Sequence, residues 1–359
     1  MHAIHQLRQC VTEAGVLASP DDAHNYRRVW ARDGIISALG ALAGDVDDAC
    51  DWLHATLTTL AQHQGPVGQI PSNVALGDDD DVQVSYGGNA VRIDATLWFM
   101  VGVGVWHRLQ DDVDEQLISA AVRGRAFIRC WEGNERRLLY IPRAGNWADE
   151  YPVLGYTLYD NSLRVWAESE VDGLVANADD DKRVFDYAIV QALVDEHGPL
   201  AYVGPGERCR RFCGFGAALA ALLDVGQRKD LFLDVIEQHV RHNLVPAFWP
   251  PIDRGESDYT VLEHLAAYGM RNTPGRYHNG GLWPVVSGFA AAAARRHGRD
   301  ELADHLAQGV DSHNAAGDFP EFVDVNNRSA GGTLHMAWSA AASLWAHAGQ
   351  DRLQHLLSR

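Results

Sequence analysis

Apolar residues recur with the 3.6-residue period of an α-helix along almost all of this 359-residue chain. The clearest case is 282–293, where apolar side chains fall at intervals of three and four residues and form one continuous stripe. Strand-like alternation is scarce, and its best case, the stretch 137–141, is typical of a hairpin or loop edge. An all-α fold is therefore predicted. The thirteen periodic segments are 2–15, 33–43, 46–64, 92–109, 112–131, 157–170, 182–196, 212–225, 228–243, 257–270, 283–297, 299–314 and 333–347.

The connections between these segments differ strongly in length. Some are tight, such as 43–46, while others are long and rich in Gly, Trp, Asp and Asn, such as 65–91 and 132–156. Short turns at one end and long loops at the other are typical of stacked helical hairpins with a functional surface on one face. Because there is no linker and no repeat of fixed period, we predict a single catalytic domain over 1–359, a closed (α/α)6 toroid of about six hairpins. One segment, either the first or 257–270, is then peripheral or broken.

The chain is strongly acidic, and this charge limits the partners that it can bind. Thirty basic and 48 acidic residues give a net charge of −18, which repels phosphate backbones and anionic lipids and disfavours nucleic-acid and membrane-surface binding. Five cysteines, an odd number in a large chain, favour a reducing compartment over a disulfide framework. The N-terminus has no signal-peptide core, and no apolar run is long enough to span a membrane. We expect a cytoplasmic protein that binds a neutral or cationic small molecule, with a homo-oligomer left open.

Two long loops carry residues suited to sugar hydroxyls. In the first, Trp30, Arg32 and Asp33 place a stacking ring beside a bidentate donor and an acceptor. Asp33 could equally cap the helix that follows, and Trp30 could belong to the core. In the second, Asp94 begins an apolar helix, and a helix cap is the simpler explanation. The acidic run 78–81 lacks the spaced ligands of a calcium loop and is interpreted as a solvated loop.

Two further loops place a carboxylate beside aromatic rings. Trp147 precedes Asp149 by two residues and supplies an apolar wall that can raise the pKa of a carboxylic acid. Glu321 lies between two phenylalanines, where a carboxylate is costly unless it is used. Upstream of it, the segment 278–284 (His-Asn-Gly-Gly-Leu-Trp-Pro) contains paired glycines that let the backbone approach a ligand closely.

Metal and cofactor sites are poorly supported by the sequence. His239 and His242 lie one helical turn apart without a third ligand nearby, and Cys209 and Cys213 form a single pair. The chain has no phosphate-binding glycine loop, no nucleophile elbow and no dinucleotide fingerprint. We therefore expect no metal and no cofactor, and redox or phosphoryl-transfer chemistry is not predicted.

Taken together, these segments resemble inverting glycoside hydrolases of the (α/α)6 type, above all the alkaline/neutral invertase family and the amylo-α-1,6-glucosidase domain of glycogen debranching enzymes. Glucoamylases and the glucosylglycerate and mannosylglycerate hydrolases are similar to a lesser degree. His-Asn-Gly-Gly-x-Trp-Pro followed by Pro-Glu-aromatic is the most specific element. The motifs follow the family's order from residue 26 to residue 341: Val29-Trp30-Ala31-Arg32-Asp33, Arg92-Ile93-Asp94-Ala95-Thr96-Leu97-Trp98, Asn146-Trp147-Ala148-Asp149, His278-Asn279-Gly280-Gly281-Leu282-Trp283-Pro284, Phe319-Pro320-Glu321-Phe322 and Trp338-Ser339-Ala340-Ala341.

The resemblance implies a role for each matching residue. Asp149 would be the general acid and Glu321 the general base, acting on opposite faces of the sugar ring. These roles predict that Trp147 raises one pKa, that of the acid, while hydrogen bonds keep the pKa of the base low. Neither a metal nor an organic cofactor is implied. The residues implied to bind the sugar or to form its walls are Trp30, Arg32, Asp33, Asp94, Trp147, His278, Asn279, Trp283 and Trp338.

The chain departs from the invertase pattern at two points. Glu150 and Tyr151 follow Asp149 where invertases have two arginines, so Glu150 is a rival for the role of acid. After the base, invertases have Tyr-Tyr-Asp-Gly, whereas residues 322–325 of this chain are Phe-Val-Asp-Val. The substrate is therefore left open between sucrose, an α-1,6-glucoside and another small α-glucoside or oligosaccharide.

Three functions are compatible with these residues, and we favour the first. An inverting, exo-acting glycosidase predicts that Asp149 and Glu321 face each other at roughly 6.5–9.5 Å, whereas about 5–5.5 Å would indicate a retaining mechanism. A sugar epimerase or isomerase on the same toroid would need histidine bases near His278, such as His24 or His335. A non-catalytic sugar-binding protein would keep the aromatic walls alone.

Overall fold

Helices make up most of the structure, a computed structural model that describes residues 2–21, 25–77, 82–110, 113–175, 182–266 and 269–357. All thirteen periodic segments contain a helix, with ends that differ from the prediction by a few residues. A further helix near the C-terminus, seven residues long, is too short to show a helical period. The helices of the described residues are α1 (His2–Cys10), α2 (Ala31–Ala43), α3 (Ala49–Gln62), α4 (Ile93–Leu109), α5 (Glu115–Arg129), α6 (Leu158–Asp172), α7 (Lys182–Leu193), α8 (Gly214–Leu222), α9 (Lys229–His239), α10 (Ser257–Leu265), α11 (Pro284–Arg296), α12 (Asp300–Gly317), α13 (Ala337–His347) and α14 (Gln350–Leu356).

Helices α2, α4, α6, α8, α11 and α13 contact one another in a closed succession, because α13 packs against α2 as well as against α11. These inner helices are buried on nearly all sides: every residue of α6 and α8 is buried, and α2 leaves Arg32 alone partly exposed. The helix α8 is apolar throughout, as a helix covered on all sides should be. The helix α6 instead buries charges, and Arg125 of α5 bonds two of them, Glu168 at 2.7 Å and Asp172 at 2.6 Å.

The helices that alternate with these along the chain pack outside them and bury one face each. Helix α1 contacts α13, α3 contacts α2 and α4, α5 contacts α4, α7 contacts α6, α9 contacts α8, and α12 contacts α11 and α13. Helix α9, for example, buries Phe232, Leu233 and Ile236. Helix α10 buries Tyr259 and Leu262, and it is the peripheral member among the predicted segments.

Aromatic side chains fill the centre of the inner helices. Trp98 of α4 lies 5.9 Å from Trp166 of α6 and 5.9 Å from Phe289 of α11, both edge-on, and 6.5 Å from Phe215 of α8. Helices α11 and α13 approach so closely that a Cβ on Gly288 would lie 2.7 Å from a carbonyl oxygen of α13. Large rings on one side and small residues on the other thus let the inner helices close around a dense core.

Because outer and inner helices alternate, the inner helices all run in the same direction and begin at the same end. The long loops 65–91, 132–156, 271–282 and 315–332 each precede an inner helix, namely α4, α6, α11 and α13. The N-terminal turns of the inner helices and the long loops therefore meet at one end of the molecule, as the loop lengths predict.

Short antiparallel strands decorate these loops, and sequence alternation predicted almost none of them because most are two to four residues long. One sheet has the order β3-β4-β5, a second has the order β11-β10-β7-β6, and the other strands pair in twos. The predicted hairpin or loop edge at 137–141 ends in the edge strand β6. Of the described helices, none combines the length and apolar character needed to cross a bilayer. The strands are β1 (Val11–Thr12), β2 (Gly15–Val16), β3 (Val29–Trp30), β4 (Asn73–Leu76), β5 (Val82–Ser85), β6 (Tyr140–Ile141), β7 (Gly155–Thr157), β8 (Val194–Asp195), β9 (Gly198–Pro199), β10 (Tyr202–Gly204), β11 (Glu207–Cys209), β12 (Phe212–Cys213), β13 (Phe248–Trp249), β14 (Phe322–Val323) and β15 (Ala330–Gly331).

Candidate active site

A cavity of about 540 Å³ lies at the end where the inner helices begin. Its walls come from the long loops and from the sheet β3-β4-β5, and its floor comes from the first turns of α2 and α13. Eight of the eleven residues predicted for the site line it: Trp30, Arg32, Trp147, Asp149, His278, Trp283, Glu321 and Trp338.

Glu321 is buried in one wall, with 2% of its surface exposed. Its Oε1 accepts a hydrogen bond of 2.6 Å from the Tyr26 hydroxyl, and its Oε2 accepts one of 3.1 Å from the Thr333 amide. Gly332 has a φ of +74° and lies so close that a Cβ there would meet Glu321 Oε2. Burial raises the pKa of Glu321 although both hydrogen bonds oppose the rise. The prediction that hydrogen bonds keep this pKa low is therefore wrong, because desolvation outweighs them.

Asp149 lines the cavity from the loop that precedes α6, and 28% of its side chain is exposed. Its Oδ2 accepts a hydrogen bond of 2.5 Å from Arg92, whose other nitrogen bonds the carbonyl of Ala144 in the same loop. The amide of Ile93 donates to Gly145 at 2.8 Å, so the start of α4 holds this loop through backbone and side chain together. Asp149 Oδ1 has no hydrogen-bond partner among the residues that the structure describes.

Glu150, the rival acid, is held in an ion pair. Its two oxygens accept from Arg271, at 3.1 Å from Nε and 2.6 Å from the terminal nitrogen. Burial raises the pKa of Glu150 despite this guanidinium. Arg271 lines the cavity, and its guanidinium lies 4.3 Å from the ring centre of Tyr277. Glu150 itself does not line the cavity, so it supports the wall from behind.

Arg32 lines the floor of the cavity and is held there by Asp33 and Asp94. One guanidinium nitrogen of Arg32 lies 3.2 Å from Asp94 and the other 3.2 Å from Asp33, each acid in the first turn of an inner helix. Burial acts to lower the pKa of Arg32, but the two carboxylates outweigh it and the pKa is raised; burial raises the pKa of Asp33. The acids do not line the cavity themselves. They hold Arg32, which does.

The aromatic walls meet around His278. Its ring stacks on Trp283, with centres 5.1 Å apart and planes 1° from parallel, and it meets the edge of Trp147 at 4.8 Å. Trp338 packs edge-on against Trp283 at 5.6 Å and lies under the Arg32 guanidinium. Burial, followed by the charges of two arginines, lowers the pKa of His278 well below its usual value. The imidazole is therefore neutral at neutral pH.

Four of the lining residues carry a buried polar atom that has no hydrogen-bond partner among the described residues. The atoms are Arg32 Nε, Trp147 Nε1, Trp338 Nε1 and His278 Nδ1. Leaving such a group unbonded costs about 1–3 kcal/mol. A ligand rich in hydroxyl groups can both donate and accept, and it would satisfy these atoms.

Asn279 is predicted to line the pocket, but it lies outside the lining residues. Its side chain accepts from the Ile252 amide at 2.6 Å and donates to the carbonyls of Ile252 and Asn272 at 2.9 and 3.1 Å. It is fully buried. The residue therefore cross-links the loop that precedes α10 to the loop that precedes α11.

Four residues of the site have no role in the prediction: Tyr26, Arg92, Arg271 and Arg28. The first two stand within or beside the recognised motifs, and they are evident only when their carboxylate partners are known. Arg271 lies in no motif. Arg28 lines the cavity and donates to amide oxygens of three residues, and it contacts no carboxylate among the residues that are described. The three are Asn25, Asn73 and Gln83.

The described residues give little support to a metal site or to a set of histidine bases. They contain no group of three or more potential ligands placed to hold a metal ion. His278 is the one histidine among the described lining residues. His335 lies elsewhere, where it pairs with Asp21 at 2.7 Å near the surface. His24 and the acidic run 78–81 lie outside the described residues.

Sequence comparison matches residues 182–353 to the family of alkaline and neutral invertases. This range includes Glu321 and Trp338, but it does not reach Asp149. A chloroplastic alkaline/neutral invertase E from Arabidopsis thaliana is 32% identical over 79 residues, which is 21% of this chain and 13% of that protein. The chain thus matches only a small part of that relative's length.

Solved structures share the fold over almost the whole chain. A mannosylglycerate hydrolase of family GH63 from Thermus thermophilus, in complex with Tris and D-glycerate, has a TM-score of 0.70 and 15% identity, covering 96% of this chain and 98% of that one. A rhamnosidase from Klebsiella oxytoca with rhamnose bound has a TM-score of 0.67 and 17% identity, covering 95% of this chain and 61% of that one. The predicted resemblance to alkaline and neutral invertases is confirmed over residues 182–353, and the solved structures share a fold consistent with a helical toroid.

Proposed function

We propose that this protein is an inverting, exo-acting glycosidase in which Asp149 is the general acid and Glu321 the general base. The observation that carries the proposal is that two carboxylates with different partners line one cavity, together with residues whose buried polar atoms lack a hydrogen-bond partner among the described residues. We expect a separation of roughly 6.5–9.5 Å between the two carboxyl groups, the range that leaves room for a water molecule.

The hydrogen bond of Asp149 leaves one carboxylate oxygen for the leaving group. Arg92 occupies Oδ2, which leaves Oδ1 to carry the proton to the glycosidic oxygen as the bond to the anomeric carbon breaks. The partial exposure of this side chain suits a position where the leaving group departs to solvent.

The hydrogen bonds of Glu321 suit proton abstraction. Each carboxylate oxygen has two lone pairs, and Tyr26 and Thr333 each use one. The remaining lone pairs can accept a proton from a water molecule that attacks the anomeric carbon from the opposite face. The products are a free sugar of inverted configuration and the released alcohol.

We further propose that the architecture is a single (α/α)6 domain. The inner helices named above would each pair with one outer helix, α1, α3, α5, α7, α9 or α12, and α10 and α14 would be additions. A cytoplasmic location and a homo-oligomer stay predictions.

The proposed substrate is a small α-glucoside or oligosaccharide. Arg32, Trp147, Trp338 and His278 would bind hydroxyls of the terminal sugar. Arg28 would face the leaving group. The candidate substrates are sucrose, an α-1,6-glucoside and a sugar linked to glycerate, as in the name of the Thermus hydrolase.

The test is glucose release from sucrose, isomaltose, trehalose, maltose, glucosylglycerol and glucosylglycerate. Wild type is compared with Asp149→Asn, Glu321→Gln and Glu150→Gln, and with Glu196→Gln as a control whose side chain is 85% exposed. We expect one substrate to be turned over, with inversion seen by NMR, and activity to be lost in the first two variants. Loss in Glu150→Gln with activity kept in Asp149→Asn would transfer the acid role, and the absence of any turnover would favour a sugar-binding protein.

The epimerase alternative has less support. It needs a second histidine beside His278, and among the described lining residues there is none. Conversion of a free sugar to its epimer by wild type and by Glu321→Gln alike would reverse this preference.

A further inference from the structure

We propose that Asp160 and Asn146 form a positioning pair that sets the direction of the Asp149 carboxyl group. This inference rests on the acid role proposed for Asp149. It assigns the orientation of the acid to two buried residues that do not line the cavity themselves.

The pair joins the acid loop, which is defined as residues 142–154 between β6 and β7, to the first turn of α6. Asn146 donates from Nδ2 to Asp160 Oδ2 at 2.7 Å, and Thr157, the N-cap of α6, donates to the same oxygen at 2.6 Å. Asn146 is 2% exposed and Asp160 is fully buried. Asp160 Oδ2 therefore links the loop to the first turn of α6.

The other end of the Asn146 amide turns the chain toward Asp149. Asn146 Oδ1 accepts from the Ala148 amide at 3.1 Å, which closes a turn over two residues. Asp149 follows this turn directly. The direction of the Asn146 amide thus fixes the backbone from which the acid projects.

A carboxylate at 160 gives that amide one orientation. Asp160 Oδ2 accepts from Thr157 as well, and a proton on this carboxyl group would lie on Oδ1, which has no partner among the described residues. Asn146 therefore has to present its NH2 group to Oδ2 and its oxygen to Ala148. An asparagine at 160 could bond in either sense and would not impose this choice. Aspartate and asparagine at position 160 have the same shape, and they differ in whether they impose one orientation on the Asn146 amide.

The carboxylate is costly for the fold, and packing alone does not explain it. Burial and the neighbouring charge of Asp94 raise the pKa of Asp160 to about 7, and its Oδ1 has no partner among the described residues. A neutral side chain would avoid that cost. The cost is retained because the acid loop requires the orientation.

The test exchanges the two groups. Asn146→Asp alone sets two carboxylates face to face, Asp160→Asn alone removes the imposed orientation, and the double variant restores one donor and one acceptor with their order reversed. Each is assayed on the glucoside that wild type hydrolyses and on α-glucosyl fluoride, whose leaving group needs little protonation.

We expect Asn146→Asp to lower kcat on the glucoside about 100-fold, within the range of acid catalysis, and on the fluoride by less than about 3-fold. Asp160→Asn should lower the glucoside rate about 5-fold, and the double variant should recover at least about 10-fold over Asn146→Asp. If Asn146→Asp does not fold, the ratio of the two rates in Asp160→Asn decides.

Thr157→Val is the matched control, because it removes the other hydrogen bond to the same oxygen without touching the acid loop. It should lower the thermal midpoint and leave the ratio of the two rates unchanged. Equal losses on both substrates, or no recovery in the double variant, would overturn the positioning role while leaving the glycosidase intact. No turnover of either substrate by wild type would instead overturn the proposed function, and this inference with it.

Discussion

The wall that carries Glu321 differs from the wall that carries Asp149 in exposure, in partners and in charge. Glu321 is almost fully buried and is bonded by two neutral donors, a hydroxyl and a backbone amide. Asp149 is partly exposed and is bonded by a guanidinium. Neutral donors stabilise a carboxylate without cancelling its charge, which a base needs. The cation on Asp149 orients one oxygen and leaves the other to the leaving group.

The largest expected effect is on kcat, and it distinguishes Glu321 from Asp149 through substrates with different leaving groups. Glu321→Gln should lower kcat about 10²–10⁴-fold on both a glucoside and α-glucosyl fluoride, because water must be deprotonated in either case. Asp149→Asn should lose as much on the glucoside and little on the fluoride. Steady-state rates on the two substrates measure this, and a loss on the fluoride in Asp149→Asn alone would reverse the assignment of the walls.

The next effect concerns the cation. Arg92→Lys removes the double contact with Asp149 and Ala144, since a lysine has one nitrogen on a flexible stem. We expect kcat on the glucoside to fall about 10-fold, as for a displaced catalytic group, with the fluoride rate nearly kept. Arg143→Lys in the same loop is the control. An unchanged glucoside rate would show that Arg92 does not orient the acid.

The pH profile tests the neutral donors. Because the pKa of Glu321 is raised by burial from its ordinary value of 4.5, the acidic limb of kcat/KM should lie above that pH, and activity should rise with pH as Glu321 ionises. Tyr26→Phe removes a donor that favours the ionised form, so the limb should move to higher pH by roughly one unit. Tyr140→Phe, outside the cavity, should leave it in place. A limb that stays or moves to lower pH in Tyr26→Phe would contradict the role given to this hydrogen bond.

The smallest effect concerns stability. A carboxyl group with a raised pKa in the folded state contributes stability below its unfolded pKa, and this contribution is lost as pH rises through the folded pKa. Glu321→Gln should therefore unfold at higher urea than wild type at about pH 7.5, with the difference shrinking toward about pH 4.5. Glu196→Gln should show no such difference. A destabilised Glu321→Gln at the higher pH would show that the hydrogen bonds outweigh desolvation.

The sequence predicts the helices well because their apolar periodicity is long and continuous, as in 282–293. It also brings together most of the cavity lining, since Trp30, Asp149 and Glu321 stand in recognisable motifs. It does not predict contacts made across the chain: Tyr26 on Glu321 and Arg271 on Glu150 join loops separated by 295 and 121 residues. Asn279 illustrates the opposite error, because a motif residue can hold a loop rather than face the ligand.

The contact between α13 and α2 has a consequence for the time at which the site can form. Tyr26 and Glu321 are 295 residues apart in the chain, and α13 joins α2 through contacts that include a hydrogen bond of 3.3 Å from Trp345 Nε1 to the Ile36 carbonyl. At about 5–20 residues per second, synthesis of the intervening chain takes on the order of 15–60 s. The face of α2 that packs on α13 stays uncovered for that period, when chaperones and proteases compete for it. Enzymatic activity would therefore be detected only after α13 has packed against α2, because no partial chain that ends before α13 contains a complete cavity.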